Sequence, residues 1–317
     1  MFLVRPPKSA LLTAVCAVGL SVGTATVHAQ SVSNQSPEAL AHSQGDAIQG
    51  SHNEELPVML RGRPLVFHAY LPATASNSRP IVFYSSGSGG WHGFDQHVAT
   101  ALAERGLPVF GISTHTYLKT FYSADRPATF AAVVADYAEL IRRAQALAGG
   151  NSSRPVILAG WSLGAGYAPL VACNAGVRPG LSGVISISLS RDNETTLSVP
   201  NRLLSRLTGK TIGPSFDVSE YLTLAAPVPV AIIQAGKDRR ASPQQAQELI
   251  SKTNAVSGPS LRLFAVSEAR NHSFKNARAE FDQALDEALN WFGTKTPMLS
   301  TLGSLRAGQS SGVRSPY

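Results

Sequence analysis

Residues 155–164 read Pro155-Val156-Ile157-Leu158-Ala159-Gly160-Trp161-Ser162-Leu163-Gly164. The apolar run from Pro155 to Ala159 predicts a buried strand, and Ala165 to Ala175 predicts a helix. A strand therefore passes into a helix through a tight turn with Ser162 at its apex. In that setting G-x-S-x-G predicts a nucleophile elbow. Gly160 and Gly164 leave no side chain where strand and helix crowd the turn, so a serine there can take a strained backbone and present its hydroxyl. The pentapeptide alone recurs by chance. It gains meaning from the frame around it and from partners for the serine.

Outward from the elbow, apolar runs alternate with amphipathic stretches. Strands are predicted over Leu65–Leu71, Ile81–Tyr84, Pro108–Ile112, Val156–Ala159, Gly183–Leu189, Val228–Gln234 and Leu261–Val266. Helices are predicted over Phe94–Arg105, Pro127–Leu147, Pro243–Lys252 and Asn276–Phe292. Pro127 suits a first helical turn, and Gly149-Gly150 ends that helix. Strands alternating with helices imply a mostly parallel central sheet with helices on both faces, an α/β architecture. Two connections are long, residues 113–126 and 190–226; insertions of this kind over a parallel sheet often form lids or substrate walls. No internal repeat and no linker divides the chain, so residues 56–292 are expected to form one catalytic domain.

The ends read differently. Arg5 and Lys8 precede the mostly apolar run Ala10–Val27, and Val27-His28-Ala29 offers small residues to a signal peptidase. This predicts a secretory signal over 1–29, cleaved after Ala29, and a periplasmic or secreted product. Residues 30–55 are polar and aperiodic, a flexible leader; 293–317, rich in Ser, Gly, Thr and Arg, predict a disordered tail. Once the signal leaves, Cys173 is the sole cysteine, so no internal disulfide is available and Cys173 is expected as a small buried hydrophobe. The formal charge of +7 falls to +5 with the loss of Arg5 and Lys8. That excess suits solubility and attraction to an anionic surface, including acidic phospholipid, with peripheral membrane contact. Zinc-ligand spacing, helix-turn-helix signals and basic-aromatic interleaving are lacking, so neither a metal nor nucleic acid is expected.

A serine hydroxyl needs a base within reach and a group that orients that base. The strand Val228–Gln234 ends in Ala235-Gly236-Lys237-Asp238, and Leu261–Val266 leads through Ser267-Glu268-Ala269-Arg270-Asn271 to His272. Both follow the carboxyl ends of predicted core strands, where ligands bind in open parallel sheets. The order serine, acid, histidine fits Ser162 as nucleophile, His272 as general base and acid, and Asp238 as the residue holding the imidazole. Lys237, Arg239 and Arg240 crowd Asp238, which leaves Asp192 and Glu268 as alternative acids. The oxyanion donors are expected from the backbone N–H of Leu163 and, from the turn Ser86-Gly87-Ser88-Gly89-Gly90, that of Ser88. This turn lacks the Gly-Lys-Ser/Thr ending of a phosphate loop, and His92 stands where a dinucleotide fingerprint needs its third glycine. No cofactor is expected. His92 and His115 are candidates for a pocket rim.

Tyr84-Ser-Ser-Gly-Ser-Gly-Gly-Trp91, Leu107-Pro-Val-Phe-Gly111 and Gly160-Trp-Ser-Leu-Gly-Ala165 together resemble the VirJ/AcvB family of bacterial virulence proteins. The resemblance runs from about Ile81 to Phe292 and is clearest up to Leu189. It implies an exported α/β-hydrolase domain that hydrolyses aminoacyl phospholipid, chiefly lysyl-phosphatidylglycerol, at the periplasmic face of the inner membrane. Ser162 would carry the acyl group, with Asp238 and His272 completing the triad. The chain departs from the family pattern twice. Ser88 replaces an acid in the glycine turn, and Gly166 replaces an acid after the elbow. Three functions remain open: an aminoacyl-phospholipid esterase, a general secreted carboxylesterase, and a non-catalytic periplasmic binding or assembly factor that keeps the fold.

Overall fold

The computed structural model describes residues 52–74, 76–122, 129–149, 154–190, 192–194 and 215–295. The expected signal over 1–29, the leader up to 51, the tail from 296, Pro127 and residues 195–214 of the second long connection lie outside the described residues. Ten strands are described: β1 (His52–Leu60), β2 (Arg63–Leu71), β3 (Ile81–Ser85), β4 (Val109–Ile112), β5 (Val156–Trp161), β6 (Leu181–Ile187), β7 (Asp192–Glu194), β8 (Ser215–Asp217), β9 (Val230–Ala235) and β10 (Leu261–Val266). The seven helices are α1 (Gly93–Glu104), α2 (Thr114–Tyr122), α3 (Phe130–Leu147), α4 (Leu163–Ala172), α5 (Val218–Ala225), α6 (Pro243–Ser257) and α7 (Arg278–Lys295).

Eight strands form one sheet in the order β1-β2-β4-β3-β5-β6-β9-β10, and β7 and β8 form a separate pair. The pairs β1/β2 and β2/β4 are antiparallel; every other pair in the large sheet is parallel. The interior strands β3 and β9 are buried along their whole length, as expected where helices cover both faces. One face packs Tyr117 of α2, Val133, Tyr137 and Leu140 of α3, Leu170 of α4, Leu222 of α5 and Ile250 of α6. The other packs Phe94, Val98 and Leu102 of α1 against Phe281, Leu285 and Phe292 of α7. This is the mostly parallel α/β architecture, covered on both faces, expected from the strand–helix alternation.

Several boundaries differ from those read in the sequence. Residues 52–55, expected in the leader, open β1, because this edge strand pairs with β2 from His52↔Leu71 to Leu60↔Arg63. Their side chains are exposed, so they carry no hydrophobic alternation to read. Helix α3 starts at Phe130, where the Thr129 side chain accepts the Ala132 N–H at 3.2 Å. Helix α7 runs on to Lys295, past the expected start of the tail. The weakly periodic second connection ends in α5, whose Val218, Leu222 and Ala225 join the core. Among the described residues no helix is long and apolar enough to cross a membrane.

Candidate active site

Ser162 occupies the step from β5 into α4 with φ 55° and ψ −112°, a left-handed backbone that costs a non-glycine residue energy. The surroundings leave it no alternative. A Cβ on Gly164 would lie 2.1 Å from the carbonyl oxygen of Ser85, and one on Gly160 would lie 2.3 Å from the carbonyl oxygen of Gly164. Both contacts are shorter than any real side chain tolerates. The strand, the helix start and the end of β3 therefore meet backbone to backbone. The Ser162 N–H is satisfied by the carbonyl of Ile187 at 2.9 Å, which ties the apex to β6.

Asp238 and His272 come together as a pair. The backbone past β9 runs beside that past β10, with the Gly236 N–H donating to Val266 O at 2.8 Å and the Lys237 N–H to Ala269 O at 2.9 Å. Asp238 then turns inward, 6 % exposed, and its Oδ2 lies 2.5 Å from His272 Nδ1. Its Oδ1 accepts the Arg240 backbone N–H at 2.8 Å. The cationic neighbours do not neutralise it. Lys237 faces Glu268 at 3.6 Å, and the contact from Arg240 is main-chain. Glu268, one of the alternative acids, is two-thirds exposed and paired with Lys237, while Asp192 lies in β7.

A carboxylate on Nδ1 places the ring proton there and leaves Nε2 as the basic nitrogen. The loop carrying the ring is stiffened by two asparagines. Asn271 Oδ1 accepts the Lys275 N–H at 3.0 Å, and Asn276 accepts the Arg270 N–H at 3.0 Å and donates to Glu268 O at 2.8 Å.

Ser162 joins this pair through its neighbour. No hydrogen bond links the Ser162 hydroxyl to the imidazole among the described residues. Trp161 makes the connection: its indole N–H donates to the carbonyl oxygen of His272 at 2.9 Å, and the two rings lie 5.6 Å apart. Ser188, at the end of β6 with φ 52°, donates its hydroxyl to the same oxygen at 3.0 Å. Sequence reasoning missed both residues. Trp161 fell at the variable position of the pentapeptide, and a lone serine after a strand carries no signal.

The glycine turn lies against the elbow. Ser86 is anchored by the Thr114 hydroxyl, which donates to its carbonyl at 2.6 Å, and its own hydroxyl accepts the Thr114 N–H at 3.0 Å. A Cβ on Gly87 would sit 2.8 Å from the Trp161 ring, so the turn packs directly on that indole. Ser88 is half-buried on this turn, and Leu163 opens α4. His92 is exposed and donates from Nε2 to Gly89 O at 2.7 Å, while His115 lies on α2 next to Gly90.

Below the turn Asp95 is fully buried. Its carboxylate accepts the Tyr84 hydroxyl at 3.0 Å and the His92 N–H at 2.9 Å. Burial pushes its pKa up to about 6 against these stabilising bonds. Cys173 is half-buried at the end of α4, with burial pushing its thiol up to about 11, so it is no nucleophile at neutral pH. Among the described residues no group of three or more His, Cys, Asp or Glu is placed to hold a metal ion.

Residues 79–225 match the family described as bacterial virulence protein (VirJ). Solved structures with the same fold include a putative dienelactone hydrolase from Klebsiella pneumoniae subsp. pneumoniae, 18 % identical, covering 77 % of this chain and 99 % of that one with a TM-score of 0.56. Est1E from Butyrivibrio proteoclasticus is 13 % identical over 76 % of this chain and 99 % of its own, also with a TM-score of 0.56. An esterase from Pyrococcus furiosus is 13 % identical over 82 % and 94 %, with a TM-score of 0.53. At such identities the likeness shows the fold alone. No curated protein matches the chain.

Proposed function

We infer, from the match of residues 79–225 to the VirJ family, that this chain is a serine hydrolase cleaving a carboxylic ester through an acyl-enzyme. The observation that carries this reading is the Asp238 carboxylate on His272 Nδ1 at 2.5 Å, at the same sheet edge as the strained Ser162. The hydroxyl of Ser162 attacks the ester carbonyl, and its proton passes to His272 Nε2. The tetrahedral oxyanion is held by the backbone N–H groups of Leu163 and Ser88. Its collapse breaks the bond to the leaving alcohol, which takes the proton from Nε2. Water then repeats the sequence on the acyl group and restores the serine. Closing the gap between Ser162 and His272 falls to substrate binding, since such bonds tighten in the reactive complex.

The substrate we propose is an aminoacyl ester of an anionic membrane lipid, lysyl-phosphatidylglycerol in the first instance, met after export under the signal of residues 1–29. The family resemblance and the +5 charge of the mature chain support it. Ser88 and Gly166, where family members carry acids, favour a second reading, a secreted carboxylesterase with no preference for a cationic acyl group.

A fluorophosphonate probe that labels the wild type and not Ser162→Ala supports the serine mechanism. Absence of labelling in both turns the fold into a non-catalytic binding or assembly scaffold, which the unbonded Ser162 hydroxyl would then explain. Lysine release from lysyl-phosphatidylglycerol vesicles, compared with turnover of short p-nitrophenyl esters, separates the two substrates.

A further inference from the structure

Asp95 has a charge that no step above uses, and it is buried at zero exposure. As third residue of α1 it would need only the His92 N–H to cap the helix. It does more. One oxygen takes the Tyr84 hydroxyl from the end of β3, and the other takes the His92 N–H. One carboxylate thus holds the strand before the glycine turn and the residue that follows its tryptophan. Gly87 of that turn packs on the indole of Trp161, which is bonded to His272 O. A shift of the turn would be felt at both halves of the site.

We propose that Asp95 is a positioning residue, its carboxylate setting, through the His92 N–H and the Tyr84 hydroxyl on either side of the turn, where the turn 86–90 presents its backbone donors to the acyl oxygen at Ser162. The proposal rests on the serine-hydrolase reading. Asp95 touches no reacting atom; it acts through the turn. Preorganised donors stabilise an oxyanion only when they are held in place beforehand, and small misplacements cost large factors in rate. An ionised carboxylate suits this role because it accepts both bonds at once and strengthens each of them. An asparagine in its place would turn an NH2 group toward one of those donors.

The ionisable groups around Asp95 come from three elements. Tyr84 bonds it from β3, His92 precedes α1 and His97 lies on α1. On α7, Arg278 lies over the Phe94 ring at 4.5 Å, and Asp282 binds His97 at 3.0 Å. Burial outweighs them and keeps the proton affinity of Asp95 high, so its charge is lost in mildly acidic solution.

The test compares the full chain with its Asp95→Asn variant, using p-nitrophenyl acetate and a fluorophosphonate across pH 5 to 8. Asp95→Asn is expected to lower kcat about tenfold or more with KM unchanged. On the acid side the wild-type logarithmic rate should steepen toward a slope of two, because Asp95 and His272 must both lose a proton. The variant should keep a slope of one. A wild-type kcat in the variant, or a loss equal at every pH with the slope unchanged, overturns the proposal.

Amide hydrogen exchange gives a readout that needs no activity. The His92 amide should be protected in the wild type above about pH 6 and exposed in Asp95→Asn. Equal protection in the two proteins also overturns the proposal. A wild type that turns over no ester and takes no probe refutes the hydrolase reading instead, and the exchange data then still decide whether Asp95 clamps the turn.

Discussion

The indole N–H of Trp161 lies 2.9 Å from the carbonyl oxygen of His272 and donates to it. The residue before the proposed nucleophile therefore holds the backbone of the proposed base, and its ring supports Gly87 of the proposed oxyanion turn. Three loops that are far apart in the chain share one side chain. Trp161→Phe keeps the ring and removes the N–H. A net hydrogen bond contributes about 1 kcal/mol, so the expected loss is about fivefold in the rate of fluorophosphonate labelling, with folding intact. Trp161→Ala also withdraws the support under Gly87 and should lose far more. Equal rates in all three proteins would remove Trp161 from the site.

Asp238 has one oxygen on His272 and the other on the Arg240 N–H. Asp238→Asn preserves shape but presents an amide that can donate to Nδ1, which favours the wrong imidazole tautomer. In a serine triad this kind of change costs about 10⁴-fold in kcat with the geometry kept. Steady-state kinetics beside a thermal melt measures both. If the variant retains more than a tenth of wild-type kcat, the orienting acid is elsewhere.

Gly164→Ala should prevent folding rather than impair chemistry. The added Cβ would meet the Ser85 carbonyl oxygen at 2.1 Å, a backbone atom that cannot move without displacing β3. Overpacking typically costs about 1–3 kcal/mol, and more where the contact is a backbone atom that cannot give way. Gly93→Ala is the control, because a Cβ there meets nothing within 4 Å. Urea unfolding should find the control within about 0.5 kcal/mol of wild type. Comparable stability for Gly164→Ala would mean that the elbow is looser than its contacts imply.

Asp95 also links stability to pH. Its carboxyl titrates near 6 in the fold against a usual 3.8, with burial as the leading cause. A raised acid in the folded state stabilises the fold at low pH. That contribution is complete below about 3.8 and is lost as pH rises through about 6. The difference corresponds to about 3 kcal/mol. Urea unfolding of wild type and Asp95→Asn at pH 4 and pH 7.5 isolates it. Relative to the variant, the wild type should gain about 3 kcal/mol at the lower pH. A gap independent of pH would show that Asp95 is not buried in its charged form.

Much of the fold was legible because its signals are local. The apolar runs of β3, β5 and β9 lie within a residue or two of where they were read, since a strand buried along its length is mostly apolar. Helix α2 was not read. Thr114–Tyr122 carries threonines and aromatics with mediocre helix propensity, and its Tyr117 and Leu118 are held by packing. The start of β1 was missed for the opposite reason. His52 to Glu55 are polar because their strand is an edge, and only main-chain pairing with β2 makes them part of the sheet.

The site divides along similar lines. Ser162, Asp238 and His272 are candidates because of what precedes each of them, a core strand ending in a turn. The roles of Trp161, Ser188 and Asp95 could not be read that way. A main-chain carbonyl has no letter in the sequence, so a side chain that binds one leaves no pattern.

The order of the elements, the elbow glycines and the three candidate side chains were set by the one-dimensional chain, because each is governed by neighbours a few residues away. Which acid meets the imidazole was decided only in three dimensions. Asp238 reaches His272 because β9 and β10 lie side by side in parallel, while Glu268, much nearer in sequence, turns out to solvent with Lys237. Hydrogen-bond reach is a few ångströms of space, and the distance along the backbone says little about it.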